Sequence, residues 1–324
     1  MKIVINGFGR IGRTILRALA TTRAGEPVEV VAINDIAAPD LLAYLFQYDS
    51  VFGPFPGDVT LDGNILTVNG RAISMSRSDS LSGLDLTGID LVLECTGKAD
   101  DREVAMRGLR AGAARVLISG PSDAADVTVV LGANDAAVNG QEIVSNASCT
   151  TNALAPLLAL LDGAFGIEQG HMTTIHCYTG SQPMIDAPRG DPARSRAGAL
   201  SMVPTTTSAT RLIDRVLPQL AGRVTGAAVR VPVASVSAVD LVVRLRGDPG
   251  PDEIRAALLQ GCGPILGWTD LPLVSSDLRA RPESLVIAGP ELIVQTGGMA
   301  RVFGWYDNEW GFSNRMIDLA LRMV

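Results

Sequence analysis

With 324 residues, 47% of them hydrophobic and 19% charged, the chain is long enough for two domains with a sizeable core. A net charge of −7, a pI of about 4.9 and the lack of any basic run speak against a nucleic-acid partner. No apolar stretch approaches a membrane span and no signal peptide precedes the first strand, so no membrane partner is expected.

Lys2-Ile3-Val4-Ile5 reads as a short apolar strand. It leads into Asn6-Gly7-Phe8-Gly9-Arg10-Ile11-Gly12-Arg13 and then a helix to about Thr21. Gly7, Gly9 and Gly12 form G-x-G-x-x-G in the strand–turn–helix setting of a dinucleotide site, where glycines allow a tight turn and close approach of a pyrophosphate. A second strand, 28–33, ends in Asn34-Asp35, an acid placed to hold the ribose hydroxyls of NAD and to repel a 2′-phosphate. Residues 39–47 read as helix and 48–54 as a turn-rich loop. Runs 65–68 and 72–75 alternate like strands, 90–97 is a buried strand into a glycine turn, 102–111 is a helix, and 115–119 and 127–131 are strands. This alternation predicts an open, mostly parallel α/β sheet of Rossmann type.

Next comes Ser145-Asn146-Ala147-Ser148-Cys149-Thr150-Thr151-Asn152, between an apolar strand and a helix running to Phe165. A cysteine at a helix start meets backbone N–H groups and a positive dipole. These favour the thiolate and can hold an oxyanion, so Cys149 is expected to be a nucleophile with a lowered pKa. Part of the polarity is capping chemistry. Residues 172–175 form a strand ending at His176, one of two histidines, and Cys with His is a nucleophile–base pair. Residues 180–200 form a long loop of the kind that is usually functional. Strands 227–231, 239–245 and 292–305 predict a second, α+β domain with a largely antiparallel sheet, and 313–323 a closing helix. The four cysteines, Cys95, Cys149, Cys177 and Cys262, have neither metal nor disulfide spacing; no metal is expected, and a reduced, cytoplasmic setting fits.

Across nearly its whole length the chain resembles the phosphorylating glyceraldehyde-3-phosphate dehydrogenase family. The resemblance rests on residues 6–13 and 147–152, His176 with Tyr178-Thr179, Arg194 and Arg196 before Ala197, Pro204-Thr205-Thr206-Thr207, Arg230-Val231-Pro232, and Trp305-Tyr306-Asp307-Asn308-Glu309. It implies an NAD-binding domain over 1–148, completed by the C-terminal helix 309–324, and a catalytic domain over 149–308. Cys149 would attack the aldehyde of a phosphorylated aldose, and His176 would take the proton. Gly7, Gly9, Arg10, Ile11, Gly12, Asp35, Arg77, Ser119 and Asn308 would bind NAD, with Asn308 on the nicotinamide carboxamide. Thr179, Ser181 and Arg230 would hold the substrate phosphate. Ser148, Arg194 and Thr207, with Thr150 and Ser208 nearby, would hold inorganic phosphate. Arginine forks and hydroxyls suit both anions. A homotetramer is also implied.

Some positions depart from that pattern. Ala153 stands where a second cysteine is common, so Cys149 has no disulfide partner four positions on. Ser208 replaces a frequent glycine, Phe312 a tyrosine, and Lys98-Ala99-Asp100-Asp101 matches poorly. Three other readings stay open at this stage: erythrose-4-phosphate dehydrogenase, an arsenate-linked variant of the main reaction, and a non-catalytic NAD-sensing scaffold.

Overall fold

The computed structural model describes residues 1–324. The chain divides into two compact units. The first comprises Met1–Val129, Ala136–Ala147 and Ser313–Val324, and the second Val130–Asp135 and Ser148–Phe312.

In the first unit the strands are β1 (Lys2–Asn6), β2 (Glu29–Asp35), β3 (Val59–Asp62), β4 (Ile65–Val68), β5 (Arg71–Arg77), β6 (Leu91–Glu94), β7 (Val116–Ile118), β8 (Val127–Thr128) and β9 (Ile143–Ser145). They lie in the order β3-β4-β5-β2-β1-β6-β7-β9-β8. From β5 to β8 every pairing is parallel, and β3–β4–β5 is an antiparallel meander. Central strands such as Ile3-Val4-Ile5 are buried on both faces, as parallel strands with apolar runs should be. Helices α1 (Arg10–Ala20), α2 (Pro39–Gln47), α3 (Arg102–Ala105) and α4 (Arg107–Arg110) belong to this unit. The single helix expected over 102–111 is thus two one-turn pieces. A Cβ at Gly108 would lie 3.0 Å from the side chains of both Val92 and Val116; the glycine lets the segment press onto the sheet and weakens it as helix. β8 is shorter than expected, and residues 130–135 pass to the other unit. The last residues join the first unit through Arg23, which donates to Asn314 Oδ1 (3.2 Å) and Asp318 Oδ1 (2.8 Å).

The second unit holds α5 (Cys149–Phe165), β10 (Ile167–Cys177), β11 (Val203–Thr205), α6 (Ala209–Val216), β12 (Val224–Val231), β13 (Ser237–Leu245), α7 (Pro251–Gln260), β14 (Leu266–Thr269), β15 (Leu285–Ala288), β16 (Ile293–Gln295), β17 (Met299–Tyr306) and the start of α8 (Trp310–Met323). Its sheet runs β11-β12-β10-β13-β17-β15-β14, with β16 also on β17. Pairing is antiparallel except for β10 with β12 and β14 with β15. α5 packs across β10, β13 and β15. From Ala153 to Leu161 it is apolar all round, and Ala153, Leu154, Leu157, Leu158 and Leu161 are fully buried, which makes it a core helix rather than a surface one. The strand expected over 292–305 is a hairpin of β16 and β17, because Gly297 and Gly298 take positive φ (+84° and +72°) and turn the chain. Two helices were not anticipated. α7 carries the start signals that could have revealed it, Pro251 at its first turn with Asp252 and Glu253 behind. No helix is long and apolar enough to cross a membrane.

Candidate active site

The first unit offers a cradle at the carboxyl ends of β1 and β2. Gly7 sits at φ +92°, and a Cβ there would lie 2.7 Å from the Cys95 carbonyl carbon and the Thr96 nitrogen. A Cβ on Gly12 would collide with the Gly7 carbonyl oxygen, whereas one on Gly9 would meet nothing within 4 Å. The first and third glycines therefore serve packing, and the second leaves open space over the turn. No side chain caps the start of α1 and no acid stands in its first turn, as suits a helix start that receives an anion. These features fit the pyrophosphate of a dinucleotide. Asp35 is held rigidly, its two carboxylate oxygens accepting from Phe8 N–H (2.6 Å) and Ala37 N–H (2.9 Å), with lone pairs left for ribose hydroxyls. Arg77, opposite Asp35 in the β2–β5 register, donates to the Ile36 carbonyl (2.9 Å). Arg10 pairs with Asp49 and lies over the Phe52 ring. Ser119 follows β7 and lies beside the Cys95 thiol.

Under this cradle runs a buried polar row that sequence reasoning missed. Asn6 faces Asn34 on one side and Glu94 on the other in the β2–β1–β6 register. Asn6 Nδ2 donates to Glu94 Oε2 (2.5 Å), Asn34 Nδ2 donates to Asn6 Oδ1 (2.9 Å), and Asn34 Oδ1 accepts from Ser76 Oγ (2.8 Å) and Ser78 N–H (3.1 Å). Three polar residues at adjacent strand ends were the available signal.

In the second unit, Cys149 is the first residue of α5. Ser148 caps the helix, its hydroxyl accepting from Thr151 N–H at 3.0 Å. Ala147, just before, takes φ +55°, a strained conformation for a residue with a Cβ. Cys149 Sγ lies 3.6 Å from His176 Nε2. His176 stands opposite Arg230 in the parallel β10–β12 register, which brings Arg230 Nη1 to 2.7 Å from His176 Nδ1 and 2.9 Å from the Cys177 carbonyl, itself 2.8 Å from Nδ1. Burial, then the Arg230 charge, push the imidazole down to about 4 against the pull of the Cys177 carbonyl. It is neutral near pH 7 and can serve as a base.

The expected lowering of the Cys149 pKa is corrected here. Burial pushes the thiol up; the Arg230 charge and the N–H groups of Thr150 and Cys149 act in the expected direction without outweighing it. Burial thus works against a stored thiolate at this helix start, and the neutral His176 beside it is a group that could take the proton. Tyr306, which no sequence pattern singled out beyond its motif, ties this corner together: its hydroxyl bridges Thr150 Oγ1 (2.9 Å) and Thr174 Oγ1 (2.8 Å), and its ring meets His176 edge-on.

The remaining site residues form separate small groups. Thr179 and Ser181 share a hydrogen bond of 2.9 Å. Arg194 donates to Thr205 Oγ1 (2.7 Å) and Thr206 Oγ1 (3.4 Å), while Thr207 accepts from Ala209 N–H at the start of α6. Ser208 is exposed and makes no side-chain cap. Asn308 is buried next to Asp307, whose carboxylate accepts from Glu309, Trp310 and Ala280 N–H groups.

Comparison with known proteins agrees with this chemistry. Residues 1–102 match the NAD binding domain of glyceraldehyde 3-phosphate dehydrogenase, and residues 148–308 its C-terminal domain. The chain is 46% identical to glyceraldehyde-3-phosphate dehydrogenase of Pseudomonas aeruginosa and 45% identical to that of Cereibacter sphaeroides, in each case over 100% of this chain and 98% of the relative. It is 43% identical to glyceraldehyde-3-phosphate dehydrogenase 1 of Bacillus subtilis, over 99% of this chain and 97% of that one. With a cysteine–histidine pair in one unit, a dinucleotide cradle in the other, and relatives matched from end to end, the chain belongs to the glyceraldehyde-3-phosphate dehydrogenase family.

Proposed function

We propose that this chain catalyses the NAD-dependent oxidation of glyceraldehyde 3-phosphate with inorganic phosphate, giving 1,3-bisphosphoglycerate through a thioester on Cys149. The observation that carries this reading is Cys149 Sγ at a helix start, 3.6 Å from a neutral His176 Nε2. Sulfur adds to the aldehyde carbon as His176 takes the thiol proton and passes it to the aldehyde oxygen, giving a hemithioacetal and leaving the imidazole neutral again. His176 then takes the hydroxyl proton as the hydride leaves, and the carbon becomes a thioester. Bound NAD supplies the hydride acceptor. Phosphate oxygen attacks the thioester and the sulfur leaves with the proton held on His176, restoring both Cys149 and the neutral imidazole. Arg230, drawn onto the substrate phosphate with Thr179 and Ser181, would release Nδ1 from accepting its N–H; the ring proton can then sit on Nδ1 and be donated to the Cys177 carbonyl, leaving Nε2 as the accepting nitrogen. Ser148, Arg194, Thr207 and Ser208, near Thr150, hold the attacking phosphate.

The same reading assigns the first unit to NAD, through Gly7, Gly9, Arg10, Ile11, Gly12, Asp35, Arg77 and Ser119, and the second to the chemistry, with Asn308 toward the nicotinamide. Asp35 favours NAD over NADP. We place the protein in the cytoplasm as a homotetramer. Exposed Met184, Ile185, Leu200 and Met202 in and beside the loop 180–200 support self-association, since side chains of this kind are normally covered. Light scattering tests that assembly.

The deciding assay follows NADH formation from glyceraldehyde 3-phosphate or erythrose 4-phosphate, with phosphate, with arsenate and with neither, in wild type and Cys149→Ala. The variant is expected to lose turnover and keep NAD binding. Substantial residual turnover would remove Cys149 from its role, and faster turnover of erythrose 4-phosphate would reassign the substrate.

A further inference from the structure

Asn308 is 8% exposed, and its amide has only one side occupied. Cys177 Sγ–H donates to Asn308 Oδ1 at 3.1 Å, and Ser237 Oγ–H reaches the same oxygen at 3.4 Å. Ser237 is itself held, because its Oγ accepts from Cys177 N–H at 3.1 Å and the residue before it, Val236, is locked at φ +65°. No protein acceptor takes the amide N–H groups of Asn308. A buried amide with its oxygen doubly engaged and its nitrogen free is aimed at an acceptor from outside the protein.

Cys177 is 1% exposed and follows His176 directly. Burial pushes its thiol up to about 12, so it stays protonated. A protonated thiol is a donor and only a weak acceptor. It therefore selects the amide oxygen over the amide nitrogen as its partner. Without it, the Ser237 hydroxyl could accept from a flipped amide as readily as donate to the present one.

We propose that Cys177 is a positioning residue: its thiol, with the Ser237 hydroxyl, turns the Asn308 carboxamide so that the N–H2 group is offered to a carbonyl acceptor on the cofactor. This rests on the reading that Asn308 meets the nicotinamide carboxamide. Cys177 touches neither substrate nor cofactor in this scheme, and its effect passes entirely through Asn308.

The test measures KM for NAD, KM for the aldehyde and the alkylation rate of Cys149 in Cys177→Ala, Cys177→Ser, Asn308→Ala and the double variant. Cys177→Val, which has no donor and fills the space, serves if the alanine folds poorly. Loss of the donor should raise KM for NAD about 2- to 10-fold, the effect of one neutral hydrogen bond, with aldehyde KM and alkylation unchanged. Serine should restore the wild-type value. In the Asn308→Ala background, removing the thiol should add nothing, the signature of coupling through one partner. If Asn308→Ala impairs NAD and Cys177→Ala does not, or if the two effects multiply independently, the positioning role is wrong. If Asn308→Ala leaves KM for NAD unchanged, the assignment of Asn308 falls, and the role of Cys177 falls with it.

Discussion

The two units solve the problem of a polar site in a protein interior in opposite ways. In the first, the cradle is made of backbone: two glycines brought into contact, a third left open, and the uncapped turn of α1. Its supporting side chains, Asn6, Asn34 and Glu94, satisfy one another within a neighbouring strand register. In the second, the groups of the proposed site are side chains from distant segments, Cys149 on α5, His176 on β10, Arg230 on β12 and Asn308 after β17, each in contact with a neighbouring polar group. A backbone site is sensitive to a single added carbon. A side-chain site is sensitive to the loss of one donor or acceptor. Substitutions should separate the two kinds.

The largest effect is expected at His176. His176→Asn keeps a polar side chain but cannot accept the proton, so single-turnover hydride transfer should slow by about 10²–10⁴-fold, with the Kd for NAD unaltered. A loss under about tenfold would mean that another group takes the proton. The backbone counterpart is Gly12→Ala. Its methyl would land on the Gly7 carbonyl oxygen and press on Ile5, so the turn between β1 and α1 must move. Overpacking of this kind costs about 1–3 kcal/mol, to be read from denaturant midpoints together with weaker NAD binding. Normal stability and affinity in this variant would show the turn to be more yielding than its geometry implies.

Asp49 links charge to this same turn. Burial pushes its carboxyl up, but Phe52 N–H, the Arg10 charge and Val51 N–H together hold it below the usual carboxylate range. A folded-state pKa below the unfolded one contributes stability at pH values above the unfolded pKa and loses it as pH falls through the folded one. Asp49→Asn should cost about 1–3 kcal/mol at pH 7, the range for removing a charged hydrogen-bonding partner. The gap from wild type should close as the pH is taken below the carboxylate range. A gap independent of pH would point to packing instead of charge. The smallest effect is expected at Ser208. Losing its hydroxyl beside the threonines proposed to hold phosphate should cost about 0.5–1.5 kcal/mol, seen as a several-fold rise in KM for inorganic phosphate in Ser208→Gly. A lower KM would mean that the side chain crowds the anion.

What the sequence determined by itself was whatever depends on neighbours along the chain. The glycine spacing of residues 7–12, the acid closing β2, and the polar run before the α5 cysteine are all local, because a tight turn and a helix start are each made by a few consecutive residues. The alternation of the first half gave the parallel sheet for the same reason. The hairpin at Gly297-Gly298 and helices α6 and α7 were passed over, since short elements owe their form to what they pack against. Only the tertiary structure decided the distances that make a site: the β10–β12 register that sets Arg230 against His176, and the bridging of Thr150 and Thr174 by Tyr306. It also decided the sign of the Cys149 shift. A helix start lowers a thiol pKa and burial raises it, and burial is a property of the whole fold that no run of residues around position 149 can disclose.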